Sequence, residues 1–310
     1  MSHAGAVAAM VTATLLWSIA GLVTRHLEVA TGFEATFWRS AINAVSLVVL
    51  LTVWKGPAAL PGAIRRGGRT LWLSGICWGV MFTAFMVAIT MTTVANVLVT
   101  MALAPLFTAL LARLALGRRL EARTWAAVVG AGLGIAWMYG HELGRGSARD
   151  LLGTLVALGV PVAAASNWTL IQADASRVSR SGGDGRDGEM DLLAAVFLGA
   201  LGSALVTLVP AWPFQATRVD LGLLAMLGVF QLAVPCLVAV VAARRLGGPE
   251  AALLSVLEIV FGVAWTWLGS SERPSAAVLG GGALVLGALV AHEVAALPSR
   301  SRRPAPQGAR

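Results

Sequence analysis

Ten stretches of about 20 apolar residues follow one another along this chain, each long enough to cross a lipid bilayer as a helix. They lie at residues 5–25, 33–54, 70–91, 94–116, 123–141, 151–173, 190–212, 219–243, 249–271 and 275–297. Inside hydrocarbon no water is available to backbone N–H and C=O groups, so a spanning segment must satisfy them itself, which such stretches do as helices. The expected fold class is therefore an all-α polytopic membrane protein with ten transmembrane helices. Of the 310 residues, 57% are hydrophobic and 12% charged. The spans fill nearly the whole chain, and no length remains for a soluble catalytic domain.

The first span is not expected to be a cleaved signal peptide, because no basic segment precedes it and it is too long for an apolar signal core. The net charge of +8 would suit nucleic acid, but its placement excludes that partner. Of the 23 Lys and Arg, 17 fall in loops that share one side and only six (Arg25, Arg39, Arg145, Arg149, Arg218 and Arg273) on the other. The positive-inside rule then puts both termini in the cytoplasm, and an even number of spans, which keeps them on one side, agrees with this. Residues 298–310, rich in Pro and Arg, read as a disordered basic tail that can touch anionic headgroups. Ala173–Glu189, with its Gly, Ser and charges, reads as a flexible cytoplasmic linker. Cys77 and Cys236 fall inside spans and read as small apolar core residues, with no disulfide expected. The four histidines are scattered without metal-ligand spacing, so neither a metal nor a cofactor is expected.

An internal repeat appears at a shift of 154 residues, which lays Val94–Arg119 on Gly248–Arg273 without a gap. Phe107 then falls on Phe261, and at a slightly different shift Trp17 falls on Trp168. The expected organisation is two five-helix repeats, 1–146 and 147–297. Five is odd, so the second repeat enters the membrane inverted, a plan recurrent in secondary transporters with a substrate held near the midplane.

At these landmarks the chain resembles the ten-span EamA-type branch of the drug/metabolite transporter superfamily. The resemblance rests on Ala13-Thr-Leu-Leu-Trp17 and Ala164-Ala-Ser-Asn-Trp168 at the start of each half, and on Arg39 in Phe37-Trp38-Arg39. It rests too on Leu103-Ala-Pro105 followed by Leu116-Gly117-Arg118-Arg119, and on Leu257-Glu258-Ile259 followed by Ser270-Ser271-Glu272-Arg273. Two departures are visible: Arg118 stands where the first half usually has Glu, and Ile259 where the second copy often has Pro. Within the superfamily the chain is most similar to bacterial aromatic amino acid exporters. That resemblance implies the bacterial inner membrane, a small-molecule substrate, and a monomer or homodimer in the bilayer.

The candidate substrate-binding residues are Glu258, Trp17, Trp78, Trp168, Asn43, Ser166, Asn167, Gln231 and Arg39. Glu258 is the only ionisable residue in Ala251–Ser270, about 14 Å into the span at 1.5 Å per residue. A charge at that depth costs about 3 kcal/mol and faces a protein-lined cavity or a partner. It could bind an ammonium group or take up a proton, or be a neutral carboxyl packed between helices. Arg39 could bind a substrate carboxylate, or snorkel to the outer interface and pair with Glu34 or Glu272. Trp17, Trp78 and Trp168 lie inside spans, where indoles stack on aromatic or cationic groups or simply pack helices. Asn43, Ser166, Asn167 and Gln231 fit cavity donors and acceptors, although hydrogen bonds between helices explain them as well. Trp38, Trp54, Trp72, Trp125, Trp137 and Trp212 sit near span ends and read as interfacial anchors. Gly130, Gly132, Gly134 and Gly280–Gly282 read as close-packing positions, and Pro161 and Pro235 as kinks.

No phosphate loop accompanies Lys55, the only lysine, so ATP-driven pumping by this chain is not expected. The reading is a secondary transporter, not an enzyme, that exports small amphipathic metabolites by alternating access, with aromatic amino acids preferred. Transport of another metabolite or a cationic drug is the alternative. A channel, or a membrane enzyme acting on a lipid-linked substrate, is a more distant one.

Overall fold

The computed structural model describes residues 2–30, 32–116, 122–142, 147–180, 188–243, 245–246, 248–271 and 273–296. These are helical, with no strand among the described residues. The helices are α1 (His3–Ser18), α2 (Ala20–Thr24), α3 (Gly32–Lys55), α4 (Ala59–Arg66), α5 (Arg69–Met91), α6 (Val94–Met101) and α7 (Ala104–Leu116). They continue as α8 (Ala122–Glu142), α9 (Ala148–Arg180), α10 (Gly188–Ala211), α11 (Arg218–Met226), a π-helical segment (Leu227–Ala233), α12 (Val234–Ala243), α13 (Gly248–Gly269) and α14 (Ala276–Ala296).

Among the described residues six stretches are long and apolar enough to cross a membrane: His3–Thr24, Gly32–Lys55, Arg69–Met91, Ala148–Ile171, Leu192–Ala211 and Arg218–Ala239. Shorter apolar helices run over Val94–Thr108, Thr124–Gly134, Leu257–Gly269 and Ala276–Ala291, where the fourth, fifth, ninth and tenth spans were expected.

Helix starts follow their capping chemistry. Ser2 Oγ accepts the N–H of Gly5 at 3.1 Å, and Thr93 Oγ1 that of Asn96 at 3.2 Å. Thr217 and Asp220 form a reciprocal capping box on α11, which satisfies N–H groups that a helix N-terminus otherwise leaves open.

Several expectations need correction. The fourth span is not continuous: the chain turns at Ala102–Leu103 between α6 and α7. Pro105, the second residue of α7, has no N–H and cannot continue a helix entering from upstream, so the break falls just before it. The matched position in the second half is Ile259, and α13 runs unbroken through it. Half of the expected linker is helical, because α9 continues to Arg180; residues 181–187 lie outside the described residues. So do Arg118, Arg119, Glu272 and the basic tail. Pro161 lies within a continuous α9. Pro235 follows directly on the π-helical segment, whose wider turn the sequence does not announce.

Helix packing runs in defined pairs. α5 packs on α9 and α10, α3 on α10 and on the π-helical segment, α1 on α12 and α13, α7 on α9, and α8 on α14. Small residues permit these approaches. A Cβ on Gly199 of α10 would overlap that of Trp78 on α5 and stand 2.9 Å from the Gly79 nitrogen. Gly134 of α8 meets Gly281 and Val285 of α14, so some of the predicted small residues serve packing within the chain.

On α3 the buried residues 35, 39, 43, 47 and 51 form a stripe of spacing four, joined by Thr36, Ser40 and Ala44. Val45, Val48, Val49 and Val53 are exposed on the other side. Polar groups inside and valines outside suit a helix that faces lipid. Both cysteines are free, Cys236 buried and Cys77 half-buried.

Candidate substrate site

A polar cluster is buried where α1, α3, α5 and the π-helical segment meet. Its centre is Arg39, 1% exposed and therefore not snorkelling to an interface. Nη1 donates to Gln231 Oε1 at 3.2 Å, and Nη2 to the backbone carbonyl of Phe82 at 3.1 Å. Its Cζ lies 5.5 Å from the Phe85 ring centroid and 6.0 Å from that of Phe82. Two ring faces within about 6 Å of a desolvated guanidinium offset part of the cost of its burial.

The expected pairing of Arg39 with Glu34 does not occur. Glu34, also 1% exposed, accepts the backbone N–H groups of Gln215 and Ala216 at 2.9 and 2.8 Å. Asp220 likewise serves backbone: it accepts from Glu28, Val29, Ala30 and Thr217. Glu28 accepts from the Thr217 hydroxyl at 2.8 Å. Together with Arg25, which donates to the carbonyl of Thr92, these bonds clasp one end of the bundle. Trp38 belongs there rather than to an exposed belt. It packs on Phe37 and Phe214, and its indole N–H is buried without an acceptor. The other expected anchors, Trp54, Trp72, Trp125, Trp137 and Trp212, are exposed as anticipated.

Gln231 joins the cluster to α1, because its Nε2 donates to the carbonyl of Trp17 at 3.3 Å. That carbonyl is in the last turn of α1, where C=O groups lose intrahelical partners. The Trp17 side chain packs against the apolar cluster that holds Cys236, and Glu258 lies near that thiol. Glu258 is partly exposed. Arg39, Gln231, Trp17, Cys236 and Glu258 thus lie in one region of the bundle.

Asn43 is wholly buried one turn along α3 from Arg39, and neither of its side-chain polar atoms has a partner. The Trp78 ring lies 5.5 Å from that of Phe82, and its N–H too is buried without an acceptor. Ser203 of α10 joins Ser40 at 3.0 Å and Thr83 at 2.9 Å, which adds hydroxyls beside Arg39.

Of the nine residues singled out in the sequence, Trp17, Arg39, Asn43, Trp78, Gln231 and Glu258 are brought into this one region. Three are not. Asn167 accepts from Ser74 at 2.6 Å between α9 and α5, and Ser166 bonds the Val162 carbonyl of its own helix. Trp168 is 55% exposed. Sequence reading missed Phe82 and Phe85, since an apolar residue in an apolar span carries no signal. Ser40 was findable, because it lies beside Arg39 on the buried stripe. A hollow of about 580 Å³, lined by Arg25, His26, Leu268, Gly269, Ser270 and Ser271, opens at the clasped end and includes none of the nine.

These features define a polytopic helical membrane protein with a charged, hydrogen-bonded centre. Residues 4–140 match the model of the EamA-like transporter family. A solved crystal structure, 20% identical, aligns over 95% of this chain and 99% of its own with a TM-score of 0.60, which supports the fold alone. No curated protein matches the chain.

Proposed function

We propose that this protein is a secondary transporter of the drug/metabolite superfamily. It exports small amphipathic metabolites across the bacterial inner membrane by alternating access, with aromatic amino acids preferred. Ten spans form two inverted five-helix repeats around the Arg39–Gln231–Trp17–Glu258 centre, and both termini are cytoplasmic, which makes the clasped end extracytoplasmic.

The observation that carries this reading is the symmetry of the helix packing. Exchanging each span for the one five further on turns the α5–α9 pair into α12–α1, and α7–α9 into α13–α1. The α5–α10 pair becomes the π-helical segment on α3, while α3–α10 and α8–α14 map onto themselves. Two halves with interchangeable contacts can each take either role, as alternating access needs. The centre lies where both halves contribute: Trp17, Arg39, Asn43 and Trp78 from one, Gln231, Cys236 and Glu258 from the other. Aromatic faces suit an apolar body, and Glu258 suits an ammonium group.

Counterflow is the test. Proteoliposomes preloaded with unlabelled amino acids are expected to accumulate labelled phenylalanine or tryptophan, and an aromatic competitor abolishes the uptake. If Glu258→Gln and Trp17→Ala both transport like the wild type, the site assignment is wrong.

A further inference from the structure

The buried centre contains more donors than acceptors. Arg39 Nε, Asn43 Nδ2 and Trp78 Nε1 are buried N–H donors without a partner, and the one open acceptor beside them is Asn43 Oδ1. The three donors share a neighbourhood. Arg39 and Asn43 are one turn apart on the buried face of α3. Trp78 and Arg39 both lie against Phe82, the first at 5.5 Å between ring centroids and the second at 6.0 Å.

No carboxylate among the described residues pairs with Arg39. Asp220 commits both carboxylate oxygens, and Glu34 its Oε1, to backbone N–H groups, and Glu28 accepts from Thr217. Glu258 forms no ion pair with it. A half-satisfied buried polar network costs more stability than an apolar core of the same shape. Each such donor in a folded chain therefore asks for the group that completes it.

We propose that Arg39, Asn43 and Trp78 form a carboxylate subsite that takes the anionic end of the substrate. The proposal rests on the transport reading above and narrows it. A carboxylate brings two oxygens and about four lone pairs together with the charge Arg39 lacks. A hydroxyl or amide would bring acceptors without the charge, and a cation would be repelled. Phe82, Phe85 and Trp78 leave apolar surface beside the subsite, which suits a single anionic head on an apolar body. Carried compounds are therefore amphipathic carboxylates, with or without an amino group. The three donors are shut from solvent in this structure, so the carboxylate meets them in the state that opens the centre.

The test compares phenylalanine, 3-phenylpropionate and phenethylamine on the full-length protein. Thermal stabilisation in detergent reads binding, and competition against labelled phenylalanine in proteoliposomes reads transport. Phenylalanine and 3-phenylpropionate are expected to stabilise and compete, whereas phenethylamine does neither. Arg39→Gln is expected to raise the half-maximal concentration of 3-phenylpropionate about tenfold or more, the loss of one charge-assisted hydrogen bond. Trp78→Phe, which removes the N–H and keeps an aromatic ring, weakens it in the same direction and covers the case in which Arg39→Gln does not fold. Equal stabilisation by phenethylamine, unchanged binding in the variants, or no stabilisation by either carboxylate overturns the proposal. Stabilisation without counterflow would remove the transport reading and leave the subsite. Counterflow indifferent to the carboxylate would do the reverse.

Discussion

The carboxylate of Asp220 accepts the backbone N–H of Glu28 at 2.7 Å, across 192 residues of sequence. The same group takes the N–H groups of Val29, Ala30 and Thr217, so one buried side chain holds the loop before α3 onto the start of α11. Asp220→Ala leaves these donors without their acceptor and removes half of a capping box. The expected loss is about 3 kcal/mol, seen as a lower melting temperature of the purified protein. Asp220→Asn keeps one acceptor oxygen and should lose less. A wild-type melting temperature in Asp220→Ala would mean that the clasp contributes no stability.

Gln231 neutralises nothing, yet it is the side-chain acceptor of Arg39. Gln231→Leu removes that acceptor and the bond to Trp17, at an expected cost of about 1–3 kcal/mol. Gln231→Glu should act oppositely on fold and function. It gives Arg39 an internal counter-ion, so thermal stability is kept or raised while carboxylate transport falls. Melting curves read against counterflow rates check both, and a Gln231→Glu protein that transports normally would contradict the anionic subsite.

Gly199 and Gly202 lie on the same helix with opposite constraints. A Cβ at Gly199 meets Trp78 and the Gly79 backbone, whereas one at Gly202 meets nothing within 4 Å. Gly199→Ala is expected to lower stability by about 1–3 kcal/mol through overpacking. Gly202→Ala should be neutral or stabilise by about 0.5–1 kcal/mol, as glycine gives way to a better helix former. Parallel melting of the two variants tests whether α5 and α10 approach as closely as described.

Position also decides the effect of proline. Pro105 stands at the second residue of α7, where no intrahelical N–H bond is required of it. Its counterpart Ile259 is buried within α13. Ile259→Pro removes a backbone bond and forces a clash with the preceding turn, at an expected cost of about 3 kcal/mol or more. A variant as stable as the wild type would show that the second half tolerates the break of the first.

Much of the helical layout was legible in the chain itself. Apolar length needs only local composition, because the bilayer requires each span to satisfy its own backbone, and the helix limits fall within a few residues of the expected stretches except at the end of α9, which continues to Arg180. Polar residues within spans were legible for the same reason: Arg39, Asn43, Gln231 and Glu258 stand out against an apolar background. What each of them touches was decided by tertiary packing alone. Arg39 read as an outer-side residue because charge counts follow sequence position. Its burial depends on α5 bringing Phe82 and Phe85, and the π-helical segment Gln231, to the same face of α3. The sequence offers Glu34 only as a candidate partner of Arg39 and does not single out Asp220, yet both accept backbone N–H groups supplied by distant loops. Hydropathy is a property of each residue and its neighbours in sequence, whereas the partner of a buried charge is whatever another helix places within hydrogen-bonding distance, and only the folded chain specifies that.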